Sequence, residues 1–267
     1  MRSRWRESMF AVCALVIVLV VACSEESEFP DASDPVSAMP WPDYELTRYT
    51  ITDQTDEVLG SVEFEIVRQG EEYTLRVLFL LDAPPLRDET MVRVRADSLE
   101  PIGYERRASD DEDQLEVTGS YSGDTVIVRI VENGIVRVAE NGEEEVEVET
   151  GEFAFDNDSS AWLWRSIAFD QDAQVVYRSV NVPQRRSQLV RLRVRGQDCV
   201  AVPAGHFLAW QVEVRPGLDR QTVWYAVEDP QLLIRWDQEP RRFLLREVVT
   251  ARGGDPIAVE SGSCAVP

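Results

Sequence analysis

The chain has 267 residues, 44% hydrophobic and 28% charged, with 49 Asp and Glu against 27 Arg, no Lys and one His. A formal charge of −22 excludes attraction to nucleic acid or to an anionic surface by bulk electrostatics. The lack of Lys excludes Schiff-base chemistry and phosphate-loop lysines, and His206 alone cannot supply a zinc site or a choice of catalytic bases.

At the N-terminus, Arg2, Arg4 and Arg6 precede an unbroken apolar run from Met9 to Ala22. Fourteen residues fall short of the roughly 20 that span a bilayer. They match the hydrophobic region of a signal peptide. The run ends in Val20-Val21-Ala22-Cys23, which resembles the lipobox of bacterial lipoprotein signal peptides. That resemblance implies cleavage of residues 1–22, acylation of Cys23, and a place in the cell envelope, on the outer side of a membrane. Two or three acyl chains anchor stably where one does not. An ordinary signal peptide or an uncleaved anchor is the alternative. Cleavage leaves 24 Arg against 48 Asp and Glu, a formal charge of −24.

Residues 23–43 read as the acylated Cys and a disordered tether. Pro30, Pro35, Pro40 and Pro42 stand among Ser, Glu and Asp, with little to form a core. Twenty such residues extend to at most about 70 Å. From Tyr44 to about residue 250 the pattern is β. Val62, Phe64 and Ile66 alternate with Ser61, Glu63 and Glu65, and Val190, Leu192 and Val194 alternate with Arg191, Arg193 and Arg195. Period-two alternation marks strands with one face inward. The Arg row is expected to face outward, toward the acidic row Glu143, Glu145, Glu147 and Glu149.

A short repeat lies between these strands. Ile127-Val-Arg-Ile-Val-Glu-Asn-Gly134 is followed by Ile135-Val-Arg-Val-Ala-Glu-Asn-Gly142. Each unit is a strand ending in Asn-Gly, a strong hairpin signal, so a three-stranded meander completed by 143–149 is expected. Asp158, Ser159 or Ser160 can cap one helix around 159–169. The fold class is mostly β: a single antiparallel, strongly curved sheet, half-barrel or sandwich, with that helix. Asp156-Asn-Asp158 offers oxygens at alternate positions, but Ala161 and Ile167 stand where a calcium loop needs Gly and Glu, so capping is the better reading. Gly119-Ser-Tyr-Ser-Gly123 places Tyr121 where a nucleophile elbow needs Ser.

Cys199 and Cys264 are the thiols left to the mature fold. A disulfide between them, in a compartment that permits it, staples the tail 251–267 to the body. Two free thiols are the alternative. Trp162, Trp164, Trp210, Trp224 and Trp236 gather in the C-terminal half, where core packing and the lining of an apolar cavity compete as explanations.

Pro203-Ala-Gly-His-Phe207 and the later Trp224-Tyr225 pair resemble an uncharacterised family of exported bacterial β proteins, a domain of unknown function with a P-A-G-x-F turn and a W-Y pair. The architecture is similar to the LolA/LolB half-barrel carriers. The resemblance covers residues 44–250 loosely and transfers no catalytic residue. The expectation is a membrane-anchored lipoprotein with a non-catalytic binding or envelope-maintenance role, holding a lipid or other apolar ligand, with no metal and no cofactor. The competing expectations are an envelope polysaccharide hydrolase using paired carboxylates, and a purely structural surface lipoprotein.

Overall fold

The alternating segments become strands that bury one face and ladder charges along the other. A computed structural model describes residues 31–139, 141–257 and 264. The signal segment and Cys23 lie outside these residues. The first seven strands are β1 (Tyr44–Thr52), β2 (Val58–Gln69), β3 (Glu72–Asp82), β4 (Pro85–Arg95), β5 (Pro101–Ser109), β6 (Gln114–Ser122) and β7 (Thr125–Glu132). Three short ones follow: β8 (Ile135–Val136), β9 (Glu145–Glu149) and β10 (Ala154–Asp156). After the helix α1 (Ser160–Arg165) come β11 (Gln174–Asn181), β12 (Arg186–Val202), β13 (Gly205–Pro216), β14 (Gln221–Ala226), β15 (Leu233–Gln238) and β16 (Arg241–Val249).

All of them join one sheet in the order β10 through β16, then β1 through β8, with β9 also on β7. Every pairing is antiparallel except β10 with β11. The chain thus closes its middle by pairing first strand with last, β1 with β16. The sheet stays open between β10 at one edge and β8 and β9 at the other. Side chains span part of that opening: Ser187 Oγ donates to Thr150 O at 3.1 Å, and Arg185 Nη2 to Arg137 O at 3.4 Å.

Inward residues follow the predicted parity. Val62, Phe64, Ile66, Val190, Leu192 and Val194 are buried in one core. Outward residues form an ion-pair ladder. Arg48 reaches Glu63 and Glu247 at 2.9 and 3.0 Å, and Arg76 reaches Glu89 at 2.5 Å. Solvent-facing pairs of this kind, here half-buried, contribute about 0–1 kcal/mol each. Arg195 does not meet the acidic row at 143–149; it pairs with the buried Glu213, which Arg215 and Arg220 also contact. The register puts Glu213 opposite Arg193 on the adjacent strand, whereas the acidic row pairs with β7.

Two elements differ from expectation. The second Asn-Gly unit makes no full strand. Strand β8 pairs with Val131 and Glu132, Arg137 N–H bonds to Ile130 O, and β9 resumes against the same β7 at Arg129. Residues 138, 139 and 141–144 are therefore extruded from one interrupted strand. Val146 and Val148 sit opposite the buried Val128 and Val126, a burial that a register through Val138 would forgo. The helix is also shorter than predicted. Ser159 stands at its N-cap position but makes no side-chain cap bond; the capping bond lies one turn earlier, where Asp156 Oδ1 accepts Asp158 N–H at 2.8 Å at the head of a 3-10 turn, Asn157–Ser159. The helix ends at Arg165 because Ser166 N–H turns back on Trp162 O and Leu163 O. The Ser166 carbonyl is taken by Ser37 and Ala38.

Those contacts belong to a segment that composition assigned to the tether. Ser33 N–H bonds to Val176 O at 2.9 Å, Ser37 Oγ donates to Ser166 O at 2.6 Å, and Trp41 is buried 6.1 Å from the Tyr73 ring. Beside it lies the buried pair Arg165–Glu45, bidentate at 2.5 and 3.0 Å, with Arg165 Nε also on Pro230 O. Deleting one partner of such a pair costs about 3–5 kcal/mol. Cys199 and Cys264 form a disulfide with Cα atoms 5.7 Å apart. In the chain-entropy model a closed loop of 65 residues stabilises by about 4 kcal/mol.

Candidate functional site

Antiparallel order brings the hairpin ends β11–β12, β13–β14 and β15–β16 to one end of the sheet. The turn before α1 lies across the inner face there, and between them is a cavity of about 300 Å³. Its floor is aromatic: Phe64, Phe79, Trp164, Tyr177 and Trp236. The rings are locked edge to face, Trp164 against Trp236 at 5.6 Å and Trp236 against Phe243 at 5.1 Å with a tilt. Both indole N–H groups are paired, Trp164 with Tyr177 Oη at 2.7 Å and Trp236 with Gln221 Oε1 at 3.0 Å. Buried indoles need such partners, and here the pairing fixes the orientation of the floor.

The wall is polar. Asn157, Asn181, Gln184, Gln188, Gln221 and Gln238 surround the floor. Acidic and basic side chains are sparse: Asp158, Asp219 and Arg186. Asp158 belongs to a second arrangement behind the wall. Its Oδ2 accepts Tyr104 Oη–H at 2.8 Å, and Asn157 Nδ2–H donates to its other oxygen at 3.2 Å. Asp156, fully buried, accepts Tyr121 Oη–H at 2.6 Å. Burial pushes both carboxyls above their ordinary range, and the neighbouring Asp158 charge pushes Asp156 further. Burial also raises the two phenols, and the carboxylates add to it. Tyr104 and Tyr121 therefore remain donors, and the carboxyl pair serves as a polar joint holding the helix turn to β5 and β6.

Of the five predicted lining residues, the structure brings Trp164 and Trp236 to the cavity. Trp162 is buried behind it, edge-on to Phe64 at 5.6 Å. Trp224 is buried under Arg235, whose guanidinium carbon lies 4.9 Å from the ring centre. Trp210 is half-buried on β13. His206 is exposed at the start of β13. Tyr121, the centre of the false elbow, is the donor to Asp156. Among the described residues no group of three or more His, Cys, Asp or Glu could hold a metal ion. Sequence reasoning missed the six carboxamides. They are spread from 157 to 238, and only strand order assembles them.

A family model described as "Protein of unknown function (DUF3108)" matches residues 43–241. No curated protein matches the chain. Among solved structures, a β-barrel-like protein of the domain of unknown function DUF1849 from Brucella abortus superposes with a TM-score of 0.54 at 13% identity, covering 80% of this chain and 100% of that one. A "putative lipoprotein" from Parabacteroides distasonis covers 81% and 100% with a TM-score of 0.30 at 12% identity. A "putative exported protein" with a YmcC-like fold from Bacteroides fragilis covers 80% and 99% with a TM-score of 0.29 at 8% identity. The first of these likenesses supports the curved β architecture.

Proposed function

The chain belongs to the DUF3108 family, and from that premise we propose that it is an exported, lipid-anchored protein that binds a ligand in the cavity beside α1 without transforming it. The cavity carries this reading. It lies at the lower end of the size range of ligand sites, with an aromatic floor and convergent polar groups. Of the two acids on its wall, Asp158 and Asp219, the first is engaged by Tyr104 and joins Asp156 and Tyr121 in holding the helix turn. That leaves the hydrolase reading without a free pair at this turn.

Anchoring rests on the sequence: the Arg-led apolar run ending in Val20-Val21-Ala22-Cys23. Cys23→Ser is expected to release the protein from membranes or to leave the precursor uncut. A variant that stays membrane-bound at mature size would refute acylation. Binding is tested on full-length protein extracted from membranes and examined by native mass spectrometry. A non-covalent adduct is expected on the wild type, and its loss on Gln188→Trp, which fills the cavity wall. An adduct common to both proteins, or none on either, would remove the cavity as the binding site.

A further inference from the structure

We propose that the occupant of this cavity is an uncharged glycan, with a pyranose ring stacked on Trp236 and its hydroxyls bonded to the surrounding carboxamides; this rests on the binding reading above and names its ligand class. The composition of the wall carries the argument. Asn and Gln number sixteen in the whole chain, and six of them line this one cavity. Asp and Glu number 49 and Arg 27, yet two acids and one Arg line it. A wall drawn at random from so charged a chain would be charged.

The chemistry of the carboxamide selects the ligand. An ionised carboxylate only accepts hydrogen bonds and a guanidinium only donates, whereas an amide does both from one planar group. A sugar hydroxyl likewise donates and accepts, so vicinal hydroxyls complement the amide groups that remain once Gln221 Oε1 has taken Trp236 and Asn157 has taken Asp158 and Ser179. A pyranose also has an apolar C–H face that needs an aromatic platform. Trp236 supplies one: it is half-buried, and Gln221 Oε1 and the Phe243 ring hold it in place. Acyl chains fit this wall poorly, because they would cover amides and leave their hydrogen bonds unmade. Anionic ligands meet a chain of charge −22.

The test uses full-length protein in lipid nanodiscs, followed by tryptophan fluorescence and by melting temperature. The probes are chitotetraose and cellotetraose as neutral glycans, tetragalacturonate as an anionic glycan of equal length, and palmitate. The neutral tetrasaccharides are expected to change the fluorescence and raise the melting temperature, with tetragalacturonate at least tenfold weaker. Gln188→Ala with Gln238→Ala is expected to weaken neutral-glycan binding at least tenfold while leaving the melting temperature without sugar unchanged. Trp236→Phe should retain more affinity than Trp236→Ala. A response to palmitate with inert sugars overturns the glycan and leaves the binding reading standing. A response to no probe overturns both. Equal affinity for tetragalacturonate overturns the selection for an uncharged ligand, and sugar binding indifferent to the Gln substitutions overturns this site. Shortened oligosaccharides after incubation would support the glycan and overturn only the claim that the ligand is left untransformed.

Discussion

Asp156 is fully buried, and its charge is opposed first by that burial and then by Asp158 two residues along. Its folded pKa therefore lies above the unfolded value of about 4. The folded chain holds the extra proton, so the stability tied to this group is complete below that pH. It is lost as pH rises through the raised folded value, at about 1.4 kcal/mol per pH unit for one proton. Asp156→Asn keeps a carbonyl oxygen for Asp158 N–H and removes the titration. The expected outcome is a wild-type melting temperature that falls relative to the variant as pH rises from about 4 to about 8. Glu213 acts in the opposite direction. Burial opposes its charge, but bonds from Arg195 and Arg215 outweigh it and hold its pKa below the usual range, so its stability is lost as pH falls. That contribution is common to both proteins and cancels in the difference. Parallel melting curves across this range would show that Asp156 holds no proton in the fold. The sequence placed Asp156 and Asp158 near a helix start but not their phenol partners. Tyr104 and Tyr121 arrive from strands 35 to 54 residues away, and no local pattern announces them.

Strands were legible because their parity is local. Alternation at 61–66 and 190–195 names the buried face without reference to any neighbour, and Val62, Ile66, Val190 and Val194 are all buried. Pairing was less legible, as the two Asn-Gly units show. The first makes a hairpin, with Asn133 and Gly134 at φ 51° and 78°, the left-handed pair that a tight two-residue turn requires. The second also turns, with Gly142 at φ 85°, but it closes a loop outside the sheet. Local chemistry specified the turn; the valines of β9 specified what β7 pairs with. A deletion tests this account. Arg137 N–H bonds to Ile130 O and Glu145 pairs with Arg129, so removing residues 138–144 joins neighbours already in one register. The deletion variant is expected to fold with a melting temperature at or above that of the wild type, since an exposed loop and its closure entropy are removed. Val138, 58% exposed, is the largest apolar side chain lost. A large drop in stability would mean that the loop itself holds the sheet edge.

The whole molecule depends on where the chain stops being a tether. Composition extended the tether to residue 43, because Pro, Ser and acids carry no core signal. Trp41, the one aromatic residue in its last third, nevertheless enters the core between Tyr73 and Arg165. With Ser33 the first of the described residues bonded to the body, ten residue steps separate it from the proposed anchor at Cys23. Fully extended, they reach about 36 Å, half the span of a tether ending at 43. Under the proposed anchoring, the folded body would be held correspondingly near the membrane. Neutron reflectometry on full-length protein bound to a supported bilayer measures this gap directly. The inner edge of the protein layer is expected within about 36 Å of the bilayer surface. Trp41→Ala, which empties a buried site at a cost of about 3–5 kcal/mol, is expected to loosen residues 33–43 and widen the gap toward 70 Å. Gln188→Ala, on the cavity wall, should leave the gap as it is. A wild-type layer standing 50 Å or more from the bilayer would mean that the segment from Ser33 to Trp41 is undocked in the anchored protein, and the short-tether account would fall with it.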